Sequence, residues 1–562
     1  MKFLKFVLFS GLLVSSLVSQ SRPVIYIGSN SMGKSPGSPC KAYVASPDTM
    51  KIIMDAGKAR AGRPAGFIVT YGLLSSPIPI GPDKLEIDIS TLLFADFIPL
   101  DSNGHGEVSF PVPGGITDKT MIYIQGFVVP AGEPWPFRLS GLVKIEIYAG
   151  SKHFFVDGDV SSNGNGTPYN PFKTISSASA AAKTAGGGII HVDPLNSGVY
   201  AEVVELFSNT TLIGDSWRSG TGVKPEIRAP IDSSGDKKRG SVVAMGTATA
   251  PLNNVTIKNL KILPSRKTGT YYSKCIALNY VKNSLVEDCI FEGTSRNGGH
   301  GVRALKIMTG VTGTISHCTF RNLNADPSVK HDPDAAIVGI GIFTDDQITI
   351  RNCRMENFGN IPLSNGVQAY FVFGIKASAN KPGTAKNVIN VYNNVIGPFV
   401  IPKGKKLGLT DINIYGIDFG NGTKGSIRNN VFYMLDARKF EADTSSQVFG
   451  IFCDKAGTVE VTNNIIQDLH HGPATGSVKV AIGFVSLSNS YTVTYSCVWN
   501  VKTPFSGYAV KGTGTILKDP LLSPPVFTLK PGSPCLGTGN PLYPPKNMGI
   551  FGGKYAGPAG AR

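Results

Sequence analysis

Three charged residues of this chain share one count. Lys306, Lys376 and Asp418 each stand two positions beyond a residue that recurs along the sequence as Cys275, Ala304, Gly339, Gly374, Gly416, Gly450 and Gly483, each followed by Ile, Leu or Phe. If that column marks equivalent places in stacked repeats, strand alternation turns the three side chains outward on one strip. Lys376 and Asp418 then lie one repeat apart, and Lys306 lies two repeats from Lys376 across Gly341. Neighbouring positive charge lowers a lysine's proton affinity, so such a lysine can take a proton or hold an anion, while Asp418 orients it or holds a cation. The plainer reading is a solvated sheet face with one ion pair between repeats.

A second group sits in less regular segments. Lys330 and His331 begin the run Lys330-His331-Asp332-Pro333-Asp334, and Asp345-Asp346 follows shortly after. The lysine and histidine are candidates for holding an anionic ligand. Asp332, Asp334, Asp345 and Asp346 offer the oxygen donors that a hard cation such as Ca2+ prefers, although carboxylates in turns also serve as turn formers. Lys403, Lys405 and Lys406 make a basic segment with no further signature. Cys289, Cys318 and Cys353 fall in one repeat position. With no C-x-x-C or Cys/His ligand spacing beside them, they read as a buried thiol ladder rather than a metal site.

The elements that must position these residues can be counted. The third residue of Lys258–Ile262, Glu287–Phe291, Ser316–Phe320, Arg351–Met355, Tyr392–Ile396, Arg428–Phe432, Thr462–Ile466 and Tyr495–Trp499 gives a column at 260, 289, 318, 353, 394, 430, 464 and 497. The steps are 29, 29, 35, 41, 36, 34 and 33. Six of the seven residues in the other column lie 14 before their partner, and Gly374 lies 20 before Asn394. One half of each repeat is therefore nearly constant and the return path varies, as expected of coils of a parallel β-helix stacked at about 4.8 Å. Asn394, Asn430 and Asn464 should form an amide ladder at a turn. The expected fold is all-β: a right-handed parallel β-helix preceded by a small β-sandwich.

Ahead of the repeats, residues 22–150 hold short alternating runs separated by Gly, Pro, Asp and Ser, which predicts the sandwich, with one helix around Met50–Ala59. Residues 151–515 make the β-helix, opened by a cap helix over Thr174–Ala185, and 516–562 make the closing cap and tail. Residues 1–21 read as a signal peptide: Lys2 and Lys5 flank an apolar stretch from Phe6 to Val18, followed by Ser19 and Ser21. The expected location is outside the cytoplasm, extracellular or periplasmic, with no membrane span once the signal is removed.

Composition agrees. Gly (66) and Pro (38) are dense in the 562 residues, charged residues are 16%, and Lys+Arg exceed Asp+Glu by 54 to 38. Loss of Lys2 and Lys5 with the signal would leave 52 − 38 = +14. These counts disfavour a helical bundle and a disordered chain, and the excess of positive charge favours an anionic partner. No nucleic-acid motif or aromatic stacking platform accompanies the charge, so nucleic acid is not the expected partner.

From His153 to the end the chain resembles the secreted, bacterial-type pectate-lyase-like right-handed β-helix superfamily. The likeness rests on the opening FFVDGDVSSNGNGTPYNPFKTISSASAAAKTAGGGIIHV, on repeats such as VTNNIIQDL, and on the closing LKDP…FTLKPGSPCLGTGN…GIFGG. It implies architecture more than activity, because that superfamily contains lyases, hydrolases, epimerases and surface proteins without catalysis. Gly299-His300-Gly301 resembles a motif of β-helix polygalacturonases, but that family's other elements are missing in the required order. The lyase chemistry of the superfamily needs a Lys or Arg base and a neutralised uronate carboxylate, often through Ca2+. The resemblance thus implies a polysaccharide lyase acting on an acidic glycan, with Lys376, Lys306 and Asp418 as the catalytic candidates. Its rival is a surface protein that binds glycans without turning them over.

Overall fold

The computed structural model describes residues 24–549 except 28–39, 47, 81, 113–119, 130–131, 133–136, 150–151, 169, 231–239, 266–271, 295–300, 326–333, 345, 360–368, 379–387, 403, 406–410, 421, 442–444, 455, 474–477, 525–526 and 543–547. The chain divides into two compact units: residues up to Pro194 together with Asp215–Val223, and Leu195–Gly214 together with Lys224 onward.

The first unit begins as a sandwich. Val24–Ile27, Asp48–Asp55 and His105–Val112 form an antiparallel sheet. Cys40–Ser46, Arg138–Ala149, Thr120–Val128, Ala65–Thr70 and Leu92–Ile98 form a second. Ile52 and Met54 of one pack with Phe67, Val69, Ile122, Ile124, Val143 and Ile145 of the other. The helix expected around Met50–Ala59 is instead the strand Asp48–Asp55 followed by a short 3-10 turn, Lys58–Arg60. Ile52, Met54 and Ala56 are buried at every second position, a period of two that fits a pleat and not a helical face.

The same unit continues through the strand His153–Val156, the helix Ile175–Thr184 and the strand Gly188–Val192. The Thr174 hydroxyl caps the helix by accepting from the Ser177 amide, as its place before the Ala-rich run predicts. Beside it runs a chain of side chains: His153 Nδ1 lies 2.8 Å from His191 Nε2, and His191 Nδ1 lies 2.6 Å from Asp215 Oδ2.

The second unit is a parallel β-helix. Strand follows strand in parallel register from Val204–Leu206 to Thr503–Lys511, and a second parallel sheet runs from Glu226–Ile227 to Cys497–Val501. Phe291 stacks on Phe320 in the interior at 4.5 Å between centroids. The amide ladder forms as expected: Asn394 Nδ2 donates to Asn430 Oδ1, and Asn430 Nδ2 to Asn464 Oδ1, each at 3.0 Å.

The residue before the ladder has its own task. Asn259, Asp288, His317, Asn352, Asn393, Asn429, Asn463 and Tyr495 all have φ between 46° and 57°. That left-handed turn suits Asn and Asp best, so in each Asn-Asn pair the first residue turns the chain and the second bonds between coils. Cys289, Cys318 and Cys353 occupy the ladder position in earlier coils, buried and reduced, each 3.3 Å from a carbonyl two residues back. In the last coil the register corrects the sequence alignment by one residue. Ile465 pairs with Cys497, so Ser496, not Cys497, continues the ladder, and its Oγ accepts from the Asn464 amide.

Candidate functional site

The second column is where each long strand turns a corner, and its glycines are required by contact. A Cβ on Gly374 would lie 2.6 Å from the Gly416 carbonyl oxygen, and one on Gly416 would lie 2.5 Å from the Phe432 ring. Around that corner, of the residues one before and two after the column, Ala277, Val338, Phe373, Phe449, Ile482 and Val485 are buried, whereas Lys306, Lys376, Tyr415 and Asp418 are partly exposed. The register aligns Ala277, Lys306, Gly341, Lys376, Asp418, Phe452 and Val485 across successive coils, as the sequence count predicts. A parallel row aligns Arg303, Val338, Phe373, Tyr415, Phe449 and Ile482.

These two rows make the site. Lys376 Nζ lies 3.9 Å from Asp418 Oδ2 and 4.2 Å above the Phe373 ring. The side chains are 35% and 14% exposed, so the ion pair lies at the boundary of the solvent rather than within it. Phe373 stacks on Tyr415 at 4.8 Å, and Tyr415 on Phe449 at 5.1 Å. The Arg303 guanidinium sits 4.0 Å over the Tyr272 ring and 5.0 Å from that of Phe343, and among the described residues its buried Nε has no hydrogen-bond partner.

Burial and charge tune these groups. Burial, helped by the positive charge of Arg303, lowers Lys306 to about 8. Burial also lowers Lys376, with Asp418 opposing the shift and Arg303 adding to it. Burial raises Asp418 to about 6 against the pull of Lys376, with Asp454 adding to the rise. The neighbouring cation that acts on both lysines is Arg303, rather than either lysine on the other.

Arg303 and the aromatic row were absent from the sequence reading. Their signal was available: they precede the recurrent column by one residue, as Lys306 and Lys376 follow it by two. Asp346 lies elsewhere and is held by Lys282 Nζ at 2.6 Å. Lys330, His331, Asp332 and Asp345 lie outside the described residues, as do His300, Lys403 and Lys406. Asp334 is described by its backbone alone, at the start of the strand Asp334–Ile342. Among the described residues no group of three or more His, Cys, Asp or Glu side chains is arranged to hold a metal ion. The strip therefore offers cations to a ligand, and Lys306, lowered to about 8, is prepared to accept a proton.

No protein-family model matches the chain, and no curated protein is detectably similar. Among solved structures, the catalytic domain of a GH87 alpha-1,3-glucanase in complex with nigerose matches at 12% identity over 84% of this chain and 87% of that one, with a TM-score of 0.28. A variant of that catalytic domain in the same complex matches at 12% over 87% and 94%, with a TM-score of 0.27. Superposition at this level does not equate two folds.

Proposed function

We propose that this is a secreted carbohydrate-active β-helix protein whose corner strip engages an acidic, uronate-bearing glycan. One observation carries the reading: Arg303, Lys306 and Lys376 share two adjacent outer rows with a single carboxylate, Asp418, whose own ionisation burial opposes. A half-buried surface with surplus positive charge favours an anionic ligand, and the stacked row Phe373–Tyr415–Phe449 backs the strip, with Phe373 and Phe449 themselves buried. The signal-like residues 1–21 and the net charge of +16 support the same setting.

Lyase chemistry is the reaction these groups support. A neutral Lys306 amine takes the proton from the carbon bearing the uronate carboxylate. The electrons form a C4=C5 double bond, the C4–O bond breaks, and the departing oxygen takes a proton from solvent water, while Lys306 returns its own proton to the solvent. Arg303 and protonated Lys376 would neutralise the carboxylate during proton loss. Calcium remains a proposal resting on Asp332, Asp334 and Asp345. Among the described residues Asp346 is committed to Lys282 and Asp418 to Lys376, so no step here is routed through a cation.

A second reading, a surface protein that binds without turnover, is favoured by one feature: Lys376 is already engaged by Asp418 and the Phe373 face. One experiment separates them. Polygalacturonate, alginate and hyaluronate are incubated with the protein, with and without Ca2+, while the absorbance of unsaturated product is followed and binding is measured separately. New absorbance that Lys306→Met abolishes supports the lyase. Binding without absorbance, weakened by Lys376→Ala, supports the surface protein. New reducing ends without absorbance would make it a hydrolase, and no binding to any uronate polymer would overturn both readings.

A further inference from the structure

The last coils of the β-helix carry a cavity remote in the register from the corner strip. It encloses about 580 Å³, within the usual range for small-ligand sites, and its lining includes Arg438, His470, His471, Trp499, Asn500 and Lys502. Trp499 lies on Cys497–Val501, the last strand of its sheet, paired with Gln467 of the preceding coil. That pairing puts it on the outward row, where its indole is 41% exposed, unusually open for so large an apolar side chain.

The charges around the cavity are nearly all spent. Arg438 forks onto Asp436, with Nη2 at 2.7 Å from Oδ2 and Nε at 3.1 Å. Asp468 accepts from Asn500 Nδ2 at 2.5 Å and from Gln467 Nε2 at 3.0 Å. His470 is held neutral near pH 7, because burial and then Arg438 lower its proton affinity. His471 faces the Gly472 carbonyl oxygen through Nδ1, 3.0 Å away. Lys502 is the lining cation that has no carboxylate within ion-pair distance among the described residues.

We infer that this cavity is a second glycan site, taking a uronate-bearing sugar whose ring lies on Trp499 and whose carboxylate meets Lys502. An exposed indole offers a flat apolar face to the ring, while the imidazoles and the Asn500 amide suit its hydroxyls. Lys502, which no carboxylate among the described residues holds in this lining, offers a ligand carboxylate one charge-assisted partner. The inference rests on the acidic-glycan reading for the choice of ligand, but it uses none of the strip's residues.

Tri-galacturonate is the probe, titrated into the full chain while tryptophan fluorescence and binding heat are recorded. Of the three tryptophans, Trp217 is buried and Trp499 is exposed, so Trp499→Phe identifies the source of any fluorescence change. The expected result is a fluorescence response that Trp499→Phe removes, affinity reduced tenfold or more in Trp499→Ala, and affinity reduced several-fold in Lys502→Gln and by raised salt. Lys376→Ala should leave the response intact. Unchanged binding in both Trp499→Ala and Lys502→Gln would overturn the second site. Loss in Lys376→Ala alone would assign all binding to the strip, refuting this inference and sparing the proposed function. Equal binding of maltotriose would refute the uronate selectivity, and failure of tri-galacturonate to bind any form would refute the site as described. Retained cooperative unfolding of each variant guards against a folding defect.

Discussion

At the scale of single residues, the opposed shifts of Lys306 and Asp418 are the most informative property of the strip. A lysine lowered to about 8 by burial and Arg303 holds a small neutral fraction at pH 7 and a large one above 8. Any elimination activity should therefore rise with pH through about 8, and Arg303→Gln should move that rise upward, a shift that pH–rate profiles would record. Asp418 is the reverse case. Its folded value of about 6 exceeds the ordinary 3.8, so its contribution to stability is fully present below about 3.8 and is lost as pH rises through 6. Asp418→Asn should accordingly compare better with the parent at pH 7.5 than at pH 4, by on the order of 1–3 kcal/mol in denaturant unfolding. A difference independent of pH would mean that the carboxylate is already ionised at low pH.

At the scale of elements, each coil is held by what stands at its turn. Asn430 lies at the middle of the amide ladder: its Nδ2 also donates to the Val391 and Arg428 carbonyls, and its Oδ1 accepts from the Asn394 amide. Asn430→Leu would leave several buried polar groups without partners. It should cost at least about 1–3 kcal/mol, read as a lower unfolding midpoint with little change in the slope of the transition. The thiols that replace the ladder in earlier coils should behave as interior groups. Burial raises Cys289 and Cys318 well above the ordinary thiol range, and both are essentially inaccessible. Alkylation should therefore be slow in the native protein and fast after unfolding. Rapid native labelling would put those strands elsewhere.

At the scale of the molecule, the two compact units carry different acid responses. In the first unit, burial and the charge of His191 lower His153 to about 3. Because that value lies below the ordinary 6.5, the stability it represents is fully present above about 6.5 and is lost as pH falls toward 3. Asp193 of the same unit, raised by burial to about 6, works in the opposite direction between 6 and 3.8 and masks part of the loss. The comparison that isolates His153 is therefore the parent against His153→Gln. Their stability difference should shrink by on the order of 2–4 kcal/mol between pH 7.5 and pH 3, measured by denaturant unfolding of each at both pH values. A constant difference would show that the imidazole titrates normally.

Much of the second unit was legible in the chain because a stacked coil repeats its own constraints. The glycine column recurs because a Cβ has no room at the corner, and the Asn-Asn pairs recur because a left-handed turn and an inter-coil amide bond recur together. Those local demands fixed the register from Cys275 to Gly483 and so placed Lys306, Lys376 and Asp418 on one strip. What sequence could not supply was the environment around each place. The rings beside Arg303 and Lys376 depend on which outward rows adjoin around a bend, and the burial that lowers Lys306 depends on everything packed over it. The strand Asp48–Asp55 was misread as a helix because a short apolar run acquires its period from the sheet it joins. Trp499 was hidden for a similar reason. A serine replaces asparagine in the final ladder, and counting to Cys497 instead of Ser496 aligned the tryptophan with the interior Ile466, whereas inter-strand hydrogen bonding pairs it with Gln467 and turns it to the outside. Local chemistry repeated along the chain is readable in one dimension, but which side chains meet, and how much water reaches them, is decided only when the coils stack.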